Sequence, residues 1–317
     1  MIGRPRRLVL IGSVVADVML QVPQLPERGG DVLATGALVQ AGGGFNVLAA
    51  AARLGLPCAL AGHVGTGPMA QLVRGALRGE GVRELLPPAE GEQGFCVGAV
   101  EPDGERTFLT SPGVESRLGA DDLAVVALGA DDAVYVSGYD LLYPGADAIV
   151  TRLGADARDG VGEALLLLDP GPLVAEIPDP LMDGLLGRVD VLSLNAREAR
   201  LLSGIEPAEG DTQAVGTALL GLLREESVVL LREGPAGATL FRRGRAPERV
   251  PGLPVADVVD TTGAGDTHSG AFLAELARGA DLVEAVRVAN VAAALSVRRP
   301  VSAGGPTRPE LDAALRA

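Results

Sequence analysis

The chain has no tryptophan, and aromatic residues make up only 3% of it; with its abundant Ala, Gly and Arg this follows coding bias and carries no functional weight. Cysteine is scarce too. Cys58 and Cys96 stand alone in 317 residues without C-x-x-C or metal-ligand spacing, which excludes a disulfide framework or a zinc module and predicts reduced, structural thiols. No uninterrupted apolar run approaches the roughly 18 residues of a membrane span. Met1-Ile-Gly-Arg-Pro-Arg-Arg7 leads straight into strand-like sequence rather than a cleavable signal, so the expectation is a cytoplasmic protein without a membrane partner. Basic residues are outnumbered 27 to 41, and the formal charge of −14 argues against nucleic acid, whose neutralisation needs a basic surface. An acidic protein that binds an anion must offset its own field locally, with turn amides, a metal ion or a few arginines.

What is present concentrates around Val258–Leu276. Val255 to Val259 reads as a short β segment, Gly263-Ala264-Gly265 as a turn of small residues, and Asp266 onward as an apolar-periodic helix to about Ala277. Turn amides followed by a helix N-terminus carry partial positive charge and bind phosphate. Asp266 has two readings: a first-turn acid of that helix, or the group that takes a proton from an attacking hydroxyl during phosphoryl transfer. A second glycine cluster, Ala41-Gly-Gly43-Gly44-Phe-Asn46, opens an Ala-rich helix stopped by Gly55 and forms another loop-to-helix ligand site.

Between and after these clusters, apolar strand-like runs alternate with helical patterns. Strands are expected at Leu8–Ile11, Cys58–Gly62, Ala133–Ser137, Ala164–Asp169, Val191–Ser193, Ser227–Arg232 and Thr239–Phe241; helices at Met69–Glu80, Ala120–Ala127, Ala146–Ala157, Asp211–Arg224, Gly265–Ala277, Asp281–Ser296 and Arg308–Arg316. That alternation predicts an α/β class: a doubly wound, mostly parallel sheet with helices on both faces. Gln21 to Val39 reads as short exposed strands, and Phe95–Val100 with Arg106–Thr110 as a β-hairpin turning at Pro102-Asp-Gly104. With no linker, residues 1–317 are expected to form one domain carrying inserted segments at about 15–40 and 94–111.

The two glycine clusters together resemble the paired signatures of the ribokinase-like (PfkB-type) carbohydrate kinases: Gly43-Gly44-Phe45-Asn46 at the sugar end, Asp260-Thr-Thr-Gly-Ala-Gly-Asp266 at the phosphoryl-transfer end. The resemblance spans nearly the whole chain. It implies an ATP-dependent kinase acting on a hydroxyl of a small sugar or polyol, with Asp17, Gly43, Gly44 and Asn46 holding the acceptor. Gly263, Ala264 and Gly265 would offer amides to the moving phosphate, and Asp266 would be the base. It places Asn195 and Glu198 near the nucleotide phosphates, Glu198 helping to hold Mg²⁺ through water; from the residues alone Asn195-x-x-Glu198 is equally a capping box. Arg232, Gly234 and Gly237 would run beside the triphosphate and Asn290 would edge the adenine. Arg232, where relatives often carry Thr or Lys, reads either as a phosphate clamp or as a surface salt bridge to Glu233 or Asp211. K⁺ is implied at Asp260 and Thr262, although Pro300 and Val301 depart from the usual second half of that site.

The inserted segments would form a β lid over the sugar whose apolar face suits a homodimer. Val15 replaces an asparagine usual near ribokinase, which loosens the link to ribose. His268, two residues after the proposed base, points to nearly the opposite helix face, and His63 fits a loop cap or a cleft wall equally. Three alternatives remain within the same fold: a nucleoside kinase stacking a base on Phe45, Phe95 or Phe108; a sugar-phosphate kinase using Arg28, Arg53 or Arg106; and a non-catalytic sugar-binding regulator. A dehydrogenase is disfavoured because no G-x-G-x-x-G follows the first strand.

Overall fold

The computed structural model describes residues 2–154, 163–206 and 212–316. The first part of the chain forms β1 (Arg7–Ile11), β2 (Val14–Gln21), β3 (Gly36–Gly43), α1 (Phe45–Arg53), β4 (Cys58–Ala61), α2 (Pro68–Gly79) and β5 (Arg83–Glu84). Then come β6 (Phe95–Val100), β7 (Arg106–Ser111), α3 (Ala120–Ala124), β8 (Asp132–Ser137), α4 (Ala146–Leu153), β9 (Leu165–Asp169) and α5 (Asp179–Leu186). The rest forms β10 (Val191–Asn195), α6 (Ala196–Ser203), α7 (Gln213–Leu222), β11 (Val228–Arg232), β12 (Gly237–Arg242), β13 (Glu248–Pro251), α8 (Ala264–Arg278), α9 (Leu282–Ser296) and α10 (Arg308–Arg316).

Nine strands make the main sheet in the order β13-β12-β11-β10-β9-β8-β1-β4-β5. It is parallel from β5 to β11 and ends in two antiparallel edge strands. β1 shows why the sequence reads as it does: Leu8 and Leu10 face a core closed by α1, α2, α8, α9 and α10, while Val9 and Ile11 face a second core under α3 to α7. A strand buried on both faces has to be apolar throughout. The chain runs from β1 to β4 on one side and later from β8 outward on the other, so the strand order reverses between β1 and β8. A crevice opens at the carboxyl ends of the strands there, and ligands of doubly wound sheets bind in that crevice.

The second sheet has the order β3-β2-β6-β7, with β2 and β6 parallel. Because β2 leaves β1 through only Gly12 and Ser13, Asp17 lies on a strand of this second sheet, paired with Gln40 and Cys96, within the segment of about 15–40 expected to be inserted. The strand expected at Val255–Val259 does not form. No neighbouring strand reaches it; the N–H groups of Val259 and Asp260 donate to the Val297 carbonyl, and Val258 and Val259 are each 55% exposed. The helix expected to reach Ala127 ends at Ala124, and α5, β5 and β13 were not anticipated. The ends proposed at Ala157 and Asp211 lie outside the described residues. Among the described residues no helix is long and apolar enough to cross a membrane.

Candidate active site

One cavity of about 650 Å³ occupies the crevice, in the size range of small-molecule sites. Its walls come from strand ends (Ser13, Ser137, Asp169, Asn195, Arg232), from the lid (Val15, Asp17, Cys96, Phe108, Thr110), and from the turn before α8. Each of the expected site residues lines it except Asp260.

The turn is built around Gly263. Its φ of +73° is left-handed, and a side chain there would collide with the Ser302 carbonyl, so only glycine fits. The Ala264 N–H closes the turn on the Thr261 carbonyl, 3.2 Å away. Gly263 and Gly265, by contrast, have N–H groups with no carbonyl partner among the described residues. These open donors at the start of a 15-residue helix face the cavity.

Asp266 follows in the first turn of α8. Its Oδ2 accepts from Asn46 Nδ2 at 3.0 Å, which ties the first glycine cluster to the second across 220 residues. A carboxylate can only accept, so this contact fixes the amide's orientation and turns Asn46 Oδ1 the other way. That oxygen is buried and has no hydrogen-bond partner. Burial pushes the Asp266 carboxyl up to about 6, with Asn46 opposing the shift. Asp17 is likewise raised to about 6 by burial, and its Oδ2 accepts from Ser302 Oγ at 3.3 Å. Gln40 Nε2 in turn donates to Ser302 Oγ at 2.9 Å, so a lid strand and the loop after α9 are joined at the same point.

A second polar cluster stands at the ends of β9, β10 and β11. Arg232 is largely withdrawn from the surface: Nη1 lies 2.9 Å from Asp169 Oδ2 and Nη2 3.5 Å from Glu198 Oε2. Of the partners expected for it, Glu233 accepts from Thr239 instead, and Asp211 lies outside the described residues. The guanidinium rests where a side chain on Gly265 would have to go, which places it against the glycine turn. The chain contains no lysine, so every fixed side-chain cation of this kind is a guanidinium. Asn195 and Glu198 do form a capping box: Asn195 Oδ1 accepts from Glu198 N at 2.9 Å, and Glu198 Oε2 from Asn195 N at 2.7 Å. Both still line the cavity, and the Glu198 carboxyl is raised by burial and by Asp169.

Three residues carry roles the sequence did not show. Asp169 is buried between Arg232 and the Gly171 N–H. Asp140 accepts the Ser13 N–H at 2.8 Å under the β1 end, where burial lifts it to about 7. Ser302 holds Asp17. The one local signal was that Asp169 ends the apolar run Leu165–Leu168; Asp140 lies three residues beyond the end of β8. His268 is buried with Nε2 3.1 Å from Asn290 Oδ1, and burial lowers it to about 3, so it is neutral. Asn290 Nδ2 donates to the Val250 and Pro251 carbonyls, which commits its amide to fastening β13 onto α9. His63 pairs with Asp122 away from the cavity, at 3.0 Å.

A doubly wound sheet with an open-amide turn, an adjacent raised carboxylate and a second carboxylate on the small sheet is an arrangement with the chemistry to bind an anion beside a hydroxyl. Residues 5–308 match the pfkB family carbohydrate kinase model, and the chain belongs to that family. It is a sugar kinase. It is 33% identical over 308 residues to the uncharacterized sugar kinase YegV of Escherichia coli (strain K12), covering 96% of this chain and 92% of that one. It is 30% identical to the ribokinase of Arabidopsis thaliana, covering 98% and 80%. A solved structure of Arabidopsis thaliana ribokinase complexed with ribose and ATP superposes with a TM-score of 0.78 at 28% identity, covering 99% of both chains.

Proposed function

We propose that the enzyme transfers the terminal phosphate of ATP to a hydroxyl of a small, neutral sugar. The observation that carries this reading is Asn46. Its amide N–H₂ fixes Asp266 while its buried Oδ1 waits for a donor, and a sugar hydroxyl placed there is in reach of the base. Asp17 Oδ1 supplies a second acceptor on the lid side, so two acceptors select for hydroxyl donors. Asp266 takes the proton of the attacking hydroxyl, and the Gly263 and Gly265 amides with the Arg232 guanidinium receive charge on the transferring phosphoryl group. Alignment and charge stabilisation provide most of the acceleration, the base about 10²- to 10⁴-fold more.

Glu198 and Asp169, both on the cavity wall, would hold Mg²⁺ through water rather than directly, since each of their carboxylate oxygens already has a donor. When bound, the ion neutralises the polyphosphate; the protein's part is to keep those carboxylates in place through Asn195 and Arg232. K⁺ at Asp260 and Thr262 fits poorly, because Asp260 Oδ1 already accepts from Arg106 and from the Thr262 N–H.

A neutral acceptor is favoured because, among the described residues, Arg232 is the one arginine on the cavity wall, and it is committed to Asp169 and Glu198. Arg53 pairs with Glu80 and Arg106 with Asp260, and Arg28 does not line the cavity, which argues against a sugar phosphate. A nucleoside is the second reading: all three tyrosines of the chain and Phe108 line the cavity, although Phe45 and Phe95 do not. The outer lid face, with Val18, Leu20, Val39, Val97 and Leu109 half-buried or exposed, suits a second copy of the chain. We place the enzyme in the cytoplasm, where ATP is abundant and its two free cysteines stay reduced. A coupled ATP-consumption screen over pentoses, hexoses, deoxysugars and nucleosides, with Asp266→Asn as control, tests the reading. ATP turnover with no sugar or nucleoside, or turnover undiminished in the control, would overturn it.

A further inference from the structure

An ion pair joins the lid sheet to the loop that leads into the glycine turn. β7 is solvent-exposed at each residue from Thr107 to Ser111, and its first residue, Arg106, is the exception. Arg106 Nη2 donates to Asp260 Oδ1 at 2.7 Å across 154 residues of chain. Both side chains are largely withdrawn from water, at 20% and 19% exposure. The same carboxylate oxygen accepts the Thr262 N–H at 2.7 Å, while the Asp260 N–H donates to the Val297 carbonyl at the end of α9. Thr262 leads directly into Gly263. A cation at Asp260 therefore holds the loop that sets the open amides of the turn.

We propose that Arg106 is the built-in counter-ion of this turn, occupying the place at Asp260 that a dissociable monovalent cation would otherwise take. Because β7 carries Arg106, the turn is fully braced only while the lid is seated. A guanidinium is charged at every physiological pH and is tethered, so it does not dissociate as a free ion does. The pair is partly buried, so salt screens it weakly. Arg106 acts as a positioning residue: it touches neither phosphate nor sugar, and works through Asp260 and the Thr262 amide. Two links follow. Catalysis does not depend on K⁺, and loosening the lid contact loosens the phosphate-binding turn.

The kinetic arm rests on the kinase reading; the exchange arm does not. Wild-type rates measured in KCl and in tetramethylammonium chloride at equal ionic strength should agree within about twofold, and K⁺ stimulation of about fivefold or more overturns the proposal. In Arg106→Met, hydrogen exchange at the Thr262 amide should accelerate about tenfold or more while amides of β1 and β8 keep their protection. kcat should fall about tenfold, since the turn no longer presents its amides in place. Unchanged Thr262 exchange, or a kcat within twofold of wild type, refutes the positioning role. Asp260→Asn removes the pair from its other side and should give the same exchange pattern, so the conclusion does not hang on one variant's folding. If wild type phosphorylates no compound of the screen, the kinase reading fails while the exchange comparison still decides for or against Arg106.

Discussion

Replacing Asp266 with Asn separates a catalytic carboxylate from a structural one by the sign of its effect on stability. Burial at the cavity floor raises Asp266 from 3.8 to about 6, which corresponds to ~1–3 kcal/mol spent on keeping it ionised in the folded protein at neutral pH. The neutral amide removes that cost and can still accept from Asn46, so Asp266→Asn should melt a few degrees higher than wild type at pH 7.5. The sign follows from linkage. A carboxyl with a raised folded-state value binds more protons folded than unfolded between 3.8 and about 6, so wild type regains the difference as pH falls through that window. The gap between variant and wild type should therefore be widest above pH 6 and close below about pH 4. Catalysis moves the opposite way, with kcat down ~10² or more because the amide cannot take a proton. Calorimetry across pH 4–8 and steady-state kinetics on one preparation read both. A variant that is destabilised at pH 7.5, or that keeps more than a third of wild-type kcat, refutes the assignment of Asp266 as the base.

Asp17→Ala should raise the acceptor KM by an order of magnitude or more and leave ATP affinity alone, since a charged hydrogen bond contributes ~1.5–3 kcal/mol; a shift in the ATP KM instead would move Asp17 out of the acceptor site. Arg232→Met leaves Asp169 and Glu198 facing each other without a cation and should cost ~3–5 kcal/mol in urea unfolding, much of it recovered in the double variant with Asp169→Asn. kcat/KM should fall as pH drops through about 6, where Asp17 and Asp266 both protonate, and a profile flat from pH 8 to pH 5 would contradict that. Exchange across Phe95–Thr110 should slow when the true acceptor binds, and equal protection with and without it would make the lid a static wall. Leu109→Glu, on the outer lid face, should convert a dimer to monomer in sedimentation if that face joins two copies.

The sequence by itself determined the parts whose physics is local. A run such as Leu8–Ile11 is apolar on both faces, as an interior parallel strand must be, and the two glycine clusters announce loop-to-helix turns, with Gly43 and Gly263 in left-handed backbone. Gly263-Ala-Gly265 with Asp266, and Asn46 after its glycines, were legible for that reason. Val255–Val259 was misread because a β-like string becomes a strand only beside another strand, and the fold offered those residues the end of α9 instead. Tertiary structure alone decided which charges meet. Nothing near Arg232 in sequence hints at Asp169, nothing near Arg106 hints at Asp260, and Ser302 stands 285 residues from the Asp17 it holds. Burial acts the same way: Asp140 and His268 look like ordinary polar residues in the chain, and their shifted protonation follows from what is packed around them. Electrostatics depends on distance and solvent in three dimensions, and a one-dimensional string fixes neither.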